Sequence, residues 1–204
     1  MFADRYIQKN VVYPAFIEAD VSPSLSMIVM IPCLNEPEII RTLESLWACF
    51  PVDAYCEVIV AVNNSENSTA EVKNFNLQTY QQLLNWKMLN DRPKLILQPI
   101  YAPAVEAKHA GAGMARKIGL DEAIRRFNAI NRTDGIIASL DADCLVSPNY
   151  LQQIESVFQR NKSCFAATLN FKHRADEMAD PKQKRGIQLY EDYLHYYKKA
   201  LDFA

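Results

Sequence analysis

The stretch Ile136-Ile137-Ala138-Ser139-Leu140-Asp141-Ala142-Asp143 constrains the fold more than any other. Mostly apolar residues, two of them β-branched, follow Gly135 and run into two aspartates one residue apart. A short apolar run of this kind predicts a buried strand of a parallel sheet. Open α/β sheets place their ligands in the crevice outside the carboxyl ends of the strands. Two carboxylates brought together there repel unless a cation or proton lies between them. Hard oxygen ligands favour Mg²⁺ or Mn²⁺, which keep water and substrate phosphates in their remaining positions. The stretch therefore predicts a metal–phosphate site. Its plainer alternative is Asp141 capping a turn before the helix that Pro148 begins.

The upstream chain repeats the pattern. Met27-Ile28-Val29-Met30-Ile31 is a continuous apolar run that predicts a strand stopped by Pro32. Pro37 and the acids Glu36 and Glu38 then mark a helix start, and Ile39, Ile40, Leu43, Leu46 and Trp47 supply its apolar stripe. Glu57-Val58-Ile59-Val60-Ala61-Val62 predicts a second strand, and the polar cluster at 63–69 a loop with Ser68 as the next helix's N-cap. Lys94-Leu95-Ile96-Leu97-Gln98 predicts a third strand, ended by Pro99. Strand alternating with helix predicts an α/β fold, with a parallel sheet and helices on both faces. Residues 1–26 show no clear period and read as an N-terminal arm, jointed near Pro23 to one domain over 27–204.

Only five glycines occur, and three of them stand at 111, 113 and 119. Glycines at a helix start let backbone amides approach an anion, and Arg116 adds a permanent positive charge in the first turns. The alternative is a glycine turn with a structural arginine paired to Asp141. A net charge of −2 and the lack of a basic stripe interleaved with aromatics argue against a nucleic-acid partner. No apolar run approaches membrane-spanning length, and no signal peptide is recognisable. The five scattered cysteines lack metal-ligand spacing and read as reduced, in a cytoplasmic compartment.

Four blocks, taken in order, resemble the family 2 glycosyltransferases, which have the GT-A fold. They are Ile31-Pro32-Cys33-Leu34-Asn35-Glu36, Glu57-Val58-Ile59-Val60 leading to Asn63-Asn64-Ser65, Gly113-Met114-Ala115-Arg116-Lys117-Ile118-Gly119, and Leu140-Asp141-Ala142-Asp143 with Pro148 and Leu151 beyond it. The resemblance covers residues 27–160. It implies a metal-dependent enzyme that moves a sugar from a nucleoside diphosphate donor, UDP favoured, with inversion. The acceptor, carbohydrate or lipid-linked, stays unidentified, as does membrane association of a longer parent. By position, Pro32, Asn35 and Glu36 would line the nucleotide end of the pocket and Asn63 would contact the base. Arg116 would sit near the nucleotide or the aspartates, and Asp141 near ribose and metal. Asp143 would be the principal ligand of Mn²⁺ or Mg²⁺, with Asp141 the second. The family usually carries Asp where Asn63 stands; an amide oxygen also accepts the uracil ring N–H, without charge assistance.

The family's catalytic base lies well beyond the Asp-x-Asp block, in an acidic pair expected here beyond residue 204. The ending Leu201-Asp202-Phe203-Ala204 has no polar tail, so the domain reads as incomplete at its C-terminus, able to bind a donor but not to transfer it. Glu191-Asp192 comes too soon and reads as a solvated helix face within a tyrosine-rich helix. Cys164 to Phe171 alternates in apolar character and predicts a further strand. His109, His173 and His195 share no ligand spacing.

Other readings of the Asp-x-Asp loop and the glycines are weaker. A haloacid-dehalogenase-type phosphatase would place its aspartate loop after a first strand, with long chain following. A dinucleotide-binding dehydrogenase would need a strand before Gly111 and a third glycine where Arg116 stands. A non-catalytic GT-A binding module is the remaining alternative.

Overall fold

The structure, a computed structural model, describes the backbone of residues 1–203 and the side chains of residues 1–200. It divides into two compact units, Met1–Lys162 and Ser163–Ala204. The first unit contains α1 (Asp4–Asn10), β1 (Leu25–Cys33), α2 (Ile39–Trp47), β2 (Tyr55–Ser65) and α3 (Ala70–Asn90). It continues with β3 (Leu95–Val105), α4 (Ala112–Ala129), β4 (Ile136–Ser139) and α5 (Tyr150–Arg160). All four strands pair in parallel in the order β3-β2-β1-β4. The expected α/β fold with a parallel sheet is therefore the one observed.

The two-residue period of the strands sorts the core into two layers. Met27, Val29, Ile31 and Cys33 of β1, with Cys56, Val58, Val60 and Val62 of β2, face α2, α3 and α5 through Leu43, Leu46, Leu83, Leu151 and Ile154. Leu25, Ile28, Ile59 and Ile100 point the other way, onto Ala115, Ile118, Ala123 and Phe127 of α4. Both strands are therefore covered on both faces, which is why their sequences run apolar without alternating. Gly119 lets α4 lie close to the sheet: a Cβ there would come within 2.5 Å of Met30 Cγ. Inside that layer Glu57 of β2 and Arg126 of α4 form an ion pair, with 2% and 3% of the side chains exposed.

The arm packs onto α4. Tyr13, Phe16, Ile17 and Val21 join the α4 layer. The α4 side chains bind its backbone: Asn128 accepts from Ala3 N at 2.8 Å, and Arg126 donates to Ala19 O at 3.0 Å. A seven-residue helix, α1, forms where no period was read.

Two prolines do not end their strands as expected. β1 continues through Pro32, because an extended residue's N–H and C=O share one edge and Met30 O accepts from Leu140 N at 3.0 Å. The edge that Pro32 would serve is therefore the β4 side, where strand pairing has already stopped at Met30. β3 runs through Pro99 and Pro103 as an edge strand of the sheet.

The opposite edge is β4. It is shorter and more open than the buried strand expected: only Ala138 is buried, and Ile137 is 36% exposed. Its apolar residues pack on one face, Ile136 and Ala138 joining the α2 side. A strand in a central position would have both faces covered; β4 has one neighbour strand and one covered face.

The second unit holds a short 3₁₀ turn (Ala175–Glu177) and α6 (Pro181–Phe203). The tyrosine-rich helix is present, with Tyr193 and Tyr197 stacked at 6.4 Å. The strand expected over 164–171 is irregular chain instead, with Phe165 95% exposed. Alternation alone does not make a strand without a neighbouring ladder to extend. The side chain of Leu201 and the apolar ending of the chain lie outside the described side chains. Among the described residues, no helix is long and apolar enough to cross a membrane.

Candidate functional site

Strand order fixes where a ligand belongs. The chain steps outward from β1 to β2 to β3, then returns to the far side of β1 as β4. The switch point lies between the carboxyl ends of β1 and β4, and open α/β sheets bind ligands there. Asn35 and Glu36 leave the end of β1, Asn63 lies two residues before the end of β2, Arg116 stands in the first turns of α4, and Asp141 and Asp143 follow β4. All of these predicted residues lie at the same end of the sheet.

The aspartate loop is anchored from α2. Ala142 is buried, and the exposed Asp141 and Asp143 flank it. Thr42 Oγ1, itself fully buried, donates to Ala142 O at 2.7 Å, and Ser45 Oγ accepts from Val146 N at 3.1 Å. Two hydroxyls on one helix face thus hold the backbone while both carboxylates point outward. Neither hydroxyl was legible as functional in the sequence; their spacing of three on the buried side of α2 was the available signal.

Arg116 faces this loop. Its Nη2 donates to Asp141 Oδ1 at 2.6 Å and its Nε to Ser139 Oγ at 3.2 Å. The pairing of Arg116 with Asp141, which the structural alternative expected, is thus observed as a direct, largely exposed ion pair. Asp143 accepts from Cys144 Sγ at 3.6 Å. Among the described residues, no cluster of three or more His, Cys, Asp or Glu could hold a metal by itself. Two carboxylates nonetheless fit Mg²⁺ or Mn²⁺, which take one or two protein carboxylates and fill their octahedron with phosphate oxygens and water.

The carboxyl end of β2 is built from amides. Asn63 and Asn64 belong to β2 and are completely buried, so the loop expected over 63–69 starts only after Ser65. Thr69, not Ser68, caps α3 by accepting from Val72 N at 3.3 Å, while Ser68 Oγ accepts from Ser65 N. Asn63 Nδ2 donates to Gly111 O at 3.2 Å, which orients the amide. Gly111 has φ 135°, a left-handed conformation that L side chains rarely adopt, and it starts α4 without a side-chain cap. Asn63 Oδ1 is buried and accepts no hydrogen bond among the described residues. A buried acceptor left unmatched costs about 1–3 kcal/mol.

Asn35 has φ 51° and donates its backbone N–H to Asn76 Oδ1 at 2.7 Å. Glu36 accepts from Glu38 N at 2.9 Å and borders a hollow of ≈ 170 Å³ with Pro37, Phe75, Gln78, Thr79 and Gln82. Pro32 lies within β1, in register with Ala61. Asn76 was not singled out by the sequence reading. With Thr79 and Leu83 it forms the buried face of α3, and an asparagine on a core-facing stripe was the signal for it.

Glu191 lies in the second unit. His173 donates its backbone N–H and Nδ1 to Glu191 Oε1 at 2.6 and 2.9 Å. These bonds, the backbone one first, hold the carboxyl below the usual glutamate range. His173 sits edge-on between Phe171 and Tyr190. The carboxylate read as a solvated helix face is therefore a bonded one.

No protein-family model matches the chain, and no curated protein does. Among solved structures, S. aureus TarS 1–349 is similar at a TM-score of 0.42 and 20% identity, over 67% of this chain and 33% of that one. The same TarS fragment in complex with UDP matches at a TM-score of 0.41 and 19% identity, and in complex with UDP-GlcNAc at 0.39 and 18%. Both of those matches again cover 67% of this chain and 32% of the other. The match thus spans about a third of the TarS fragment's length.

Proposed function

We propose that this chain is the donor-binding part of a family 2 glycosyltransferase of the GT-A fold. In this reading it binds a nucleoside diphosphate sugar, UDP favoured, for transfer with inversion to a carbohydrate or lipid-linked acceptor. One observation carries the proposal. Four sequence blocks that resemble that family converge at the carboxyl end of one parallel sheet, around its switch point, and side-chain bonds tie them together there. Asn63 of the second block bonds Gly111 beside the third, and Arg116 of the third bonds Asp141 of the fourth.

Each residue then has a physical task. The buried Asn63 Oδ1 accepts the N–H of the base, and because Asn63 Nδ2 is held by Gly111 O the amide presents an acceptor there rather than a donor. Uracil and guanine offer a ring N–H to such an atom; cytosine and adenine offer a lone pair at the corresponding position. Asn35 and Glu36 line the adjoining edge of the pocket. Asp143 and Asp141 would hold Mn²⁺ or Mg²⁺, which when bound offsets the charge growing on the departing diphosphate. Arg116 lies one bond from Asp141, so its guanidinium reaches the same region and favours the same charge. No base is assigned to Glu191, whose carboxylate already accepts from His173.

The test is a nucleoside diphosphate panel scored by thermal shift with and without Mn²⁺. UDP at about a hundred times its Kd adds about 2.7 kcal/mol, a rise of roughly 5–11 °C for a chain of this size. Asp143→Asn should remove the Mn²⁺ dependence while leaving the circular dichroism unchanged. A larger shift with GDP would reassign the donor base, and no shift with any nucleotide would leave the non-catalytic module as the reading.

A further inference from the structure

We propose that Asn76 is a positioning residue that sets the geometry of the base pocket. The inference rests on the donor-binding reading and adds to it a residue outside every one of the four sequence blocks. Asn76 projects from α3 into the sheet end and is completely buried. Its side chain spends both donors and one acceptor site on the pocket wall. Oδ1 accepts from Asn35 N at 2.7 Å, and Nδ2 donates to Asn63 O at 3.1 Å and to Asn64 Oδ1. One amide thus joins the turn after β1 to the end of β2.

Both partners need holding. Asn35 sits at φ 51°, a left-handed conformation that asparagine enters more readily than most residues, and Asn76 Oδ1 fixes its N–H there. Asn63 carries the unmatched Oδ1, and where that atom points depends on the backbone to which Asn76 is bonded. The network ends in aromatic rings: Asn64 Nδ2 donates to Tyr101 OH at 3.0 Å, and Tyr101 stacks on Tyr80 of α3 at 5.3 Å and 19°. Every link is a neutral amide or a hydroxyl, so no salt bridge can substitute for a lost hydrogen bond. Asn76 touches the wall and not the aspartate loop, so its influence falls on the base and spares the diphosphate.

That separation gives the test. UDP and inorganic pyrophosphate, each with Mg²⁺, are titrated calorimetrically into the 204-residue protein and into its Asn76→Ala and Asn76→Asp variants. Asn76→Asp keeps the acceptor for Asn35 N but removes both donated bonds. Loss of hydrogen-bonded positioning should raise the UDP Kd roughly 5–30-fold in folded variants while the pyrophosphate Kd stays within about twofold. Parallel weakening of both ligands, or of neither, overturns the role. If the variants do not fold, the wild-type protein decides: the Asn76 side-chain NH₂ resonance should move on adding UDP and stay in place on adding pyrophosphate. A static resonance under saturating UDP overturns the proposal. Wild-type protein that binds neither ligand overturns the donor reading itself and this inference with it, whereas wild-type UDP binding with unselective variants overturns the Asn76 role alone.

Discussion

Replacing Asn63 by aspartate introduces the carboxylate that family 2 glycosyltransferases usually carry in the block that this segment resembles, and the structure says what that does. In the wild type, Nδ2 donates to Gly111 O at 3.2 Å within a fully buried side chain. Asn63→Asp turns that donor into an oxygen facing a carbonyl oxygen, leaves Gly111 O without this partner and buries a charge. The lost bond and unmatched acceptor together cost about 1–3 kcal/mol. At roughly 2–4 °C per kcal/mol, these two losses alone lower the melting point of the unliganded protein by about 2–12 °C, and at pH 7 the buried charge lowers it further. Burial raises the folded pKa of the new carboxyl above its unfolded value near 3.9. The sign of the pH effect follows. The folded state binds the proton more tightly, so stability is fully present below about pH 3.9 and is lost as pH rises through the folded pKa. The protonated form can also donate to Gly111 O again, so the deficit relative to wild type should shrink in acid. UDP should behave oppositely, since its ring N–H would meet a charged acceptor and bind about tenfold more tightly. Differential scanning fluorimetry from pH 4 to 8, with and without UDP, reads both effects. An unliganded melting point and a UDP shift that both equal the wild type's would refute the placement of Asn63 at the base.

Three further outcomes are expected. Arg126→Met strands Glu57 beneath α4 and should cost about 3–5 kcal/mol in urea unfolding, whereas Glu57→Leu with Arg126→Met should recover most of it; a single-variant loss below 1 kcal/mol contradicts the buried pair. Cys33 and Cys56 are buried, with thiols pushed up to about 12 mainly by that burial, so at pH 8 a thiol reagent should label the exposed Cys144 and the half-buried Cys164 first. All five cysteines should react after denaturation, and fast native labelling of Cys33 or Cys56 in a peptide map counts against the packing. Glu191 is held below the ordinary glutamate range by His173, so its contribution to stability is present above that range and is lost as pH falls through the lowered value. Carboxyl NMR should show His173→Ala raising the Glu191 midpoint toward the ordinary value, with only the part due to the His173 backbone N–H retained.

The strands were legible in the sequence because burial on both faces writes itself into each one. Met27 to Ile31 and Val58 to Val62 are unbroken apolar runs, and each meets a covered face on both sides. The candidate site was legible for a related reason. In a parallel sheet every strand ends at the same edge, so Asn35, Asn63 and Asp141 had to share that edge once the fold was read.

What tertiary structure alone decided concerns pairs far apart in the chain. Local pattern cannot say which strand is an edge, so β4 read as buried and Pro32 and Pro99 read as stops. Strand order, and the unpaired side it leaves on each strand, settled all three. The run Asn63-Asn64 read as a loop because polar residues usually seek water. Asn76, Gly111 and Tyr101 lie 12 to 48 residues away, yet they supply the bonds that let these amides be buried within a strand. A sequence records which residues need partners. The fold decides which partners they get, because a hydrogen bond depends on distance in space and not on separation along the chain.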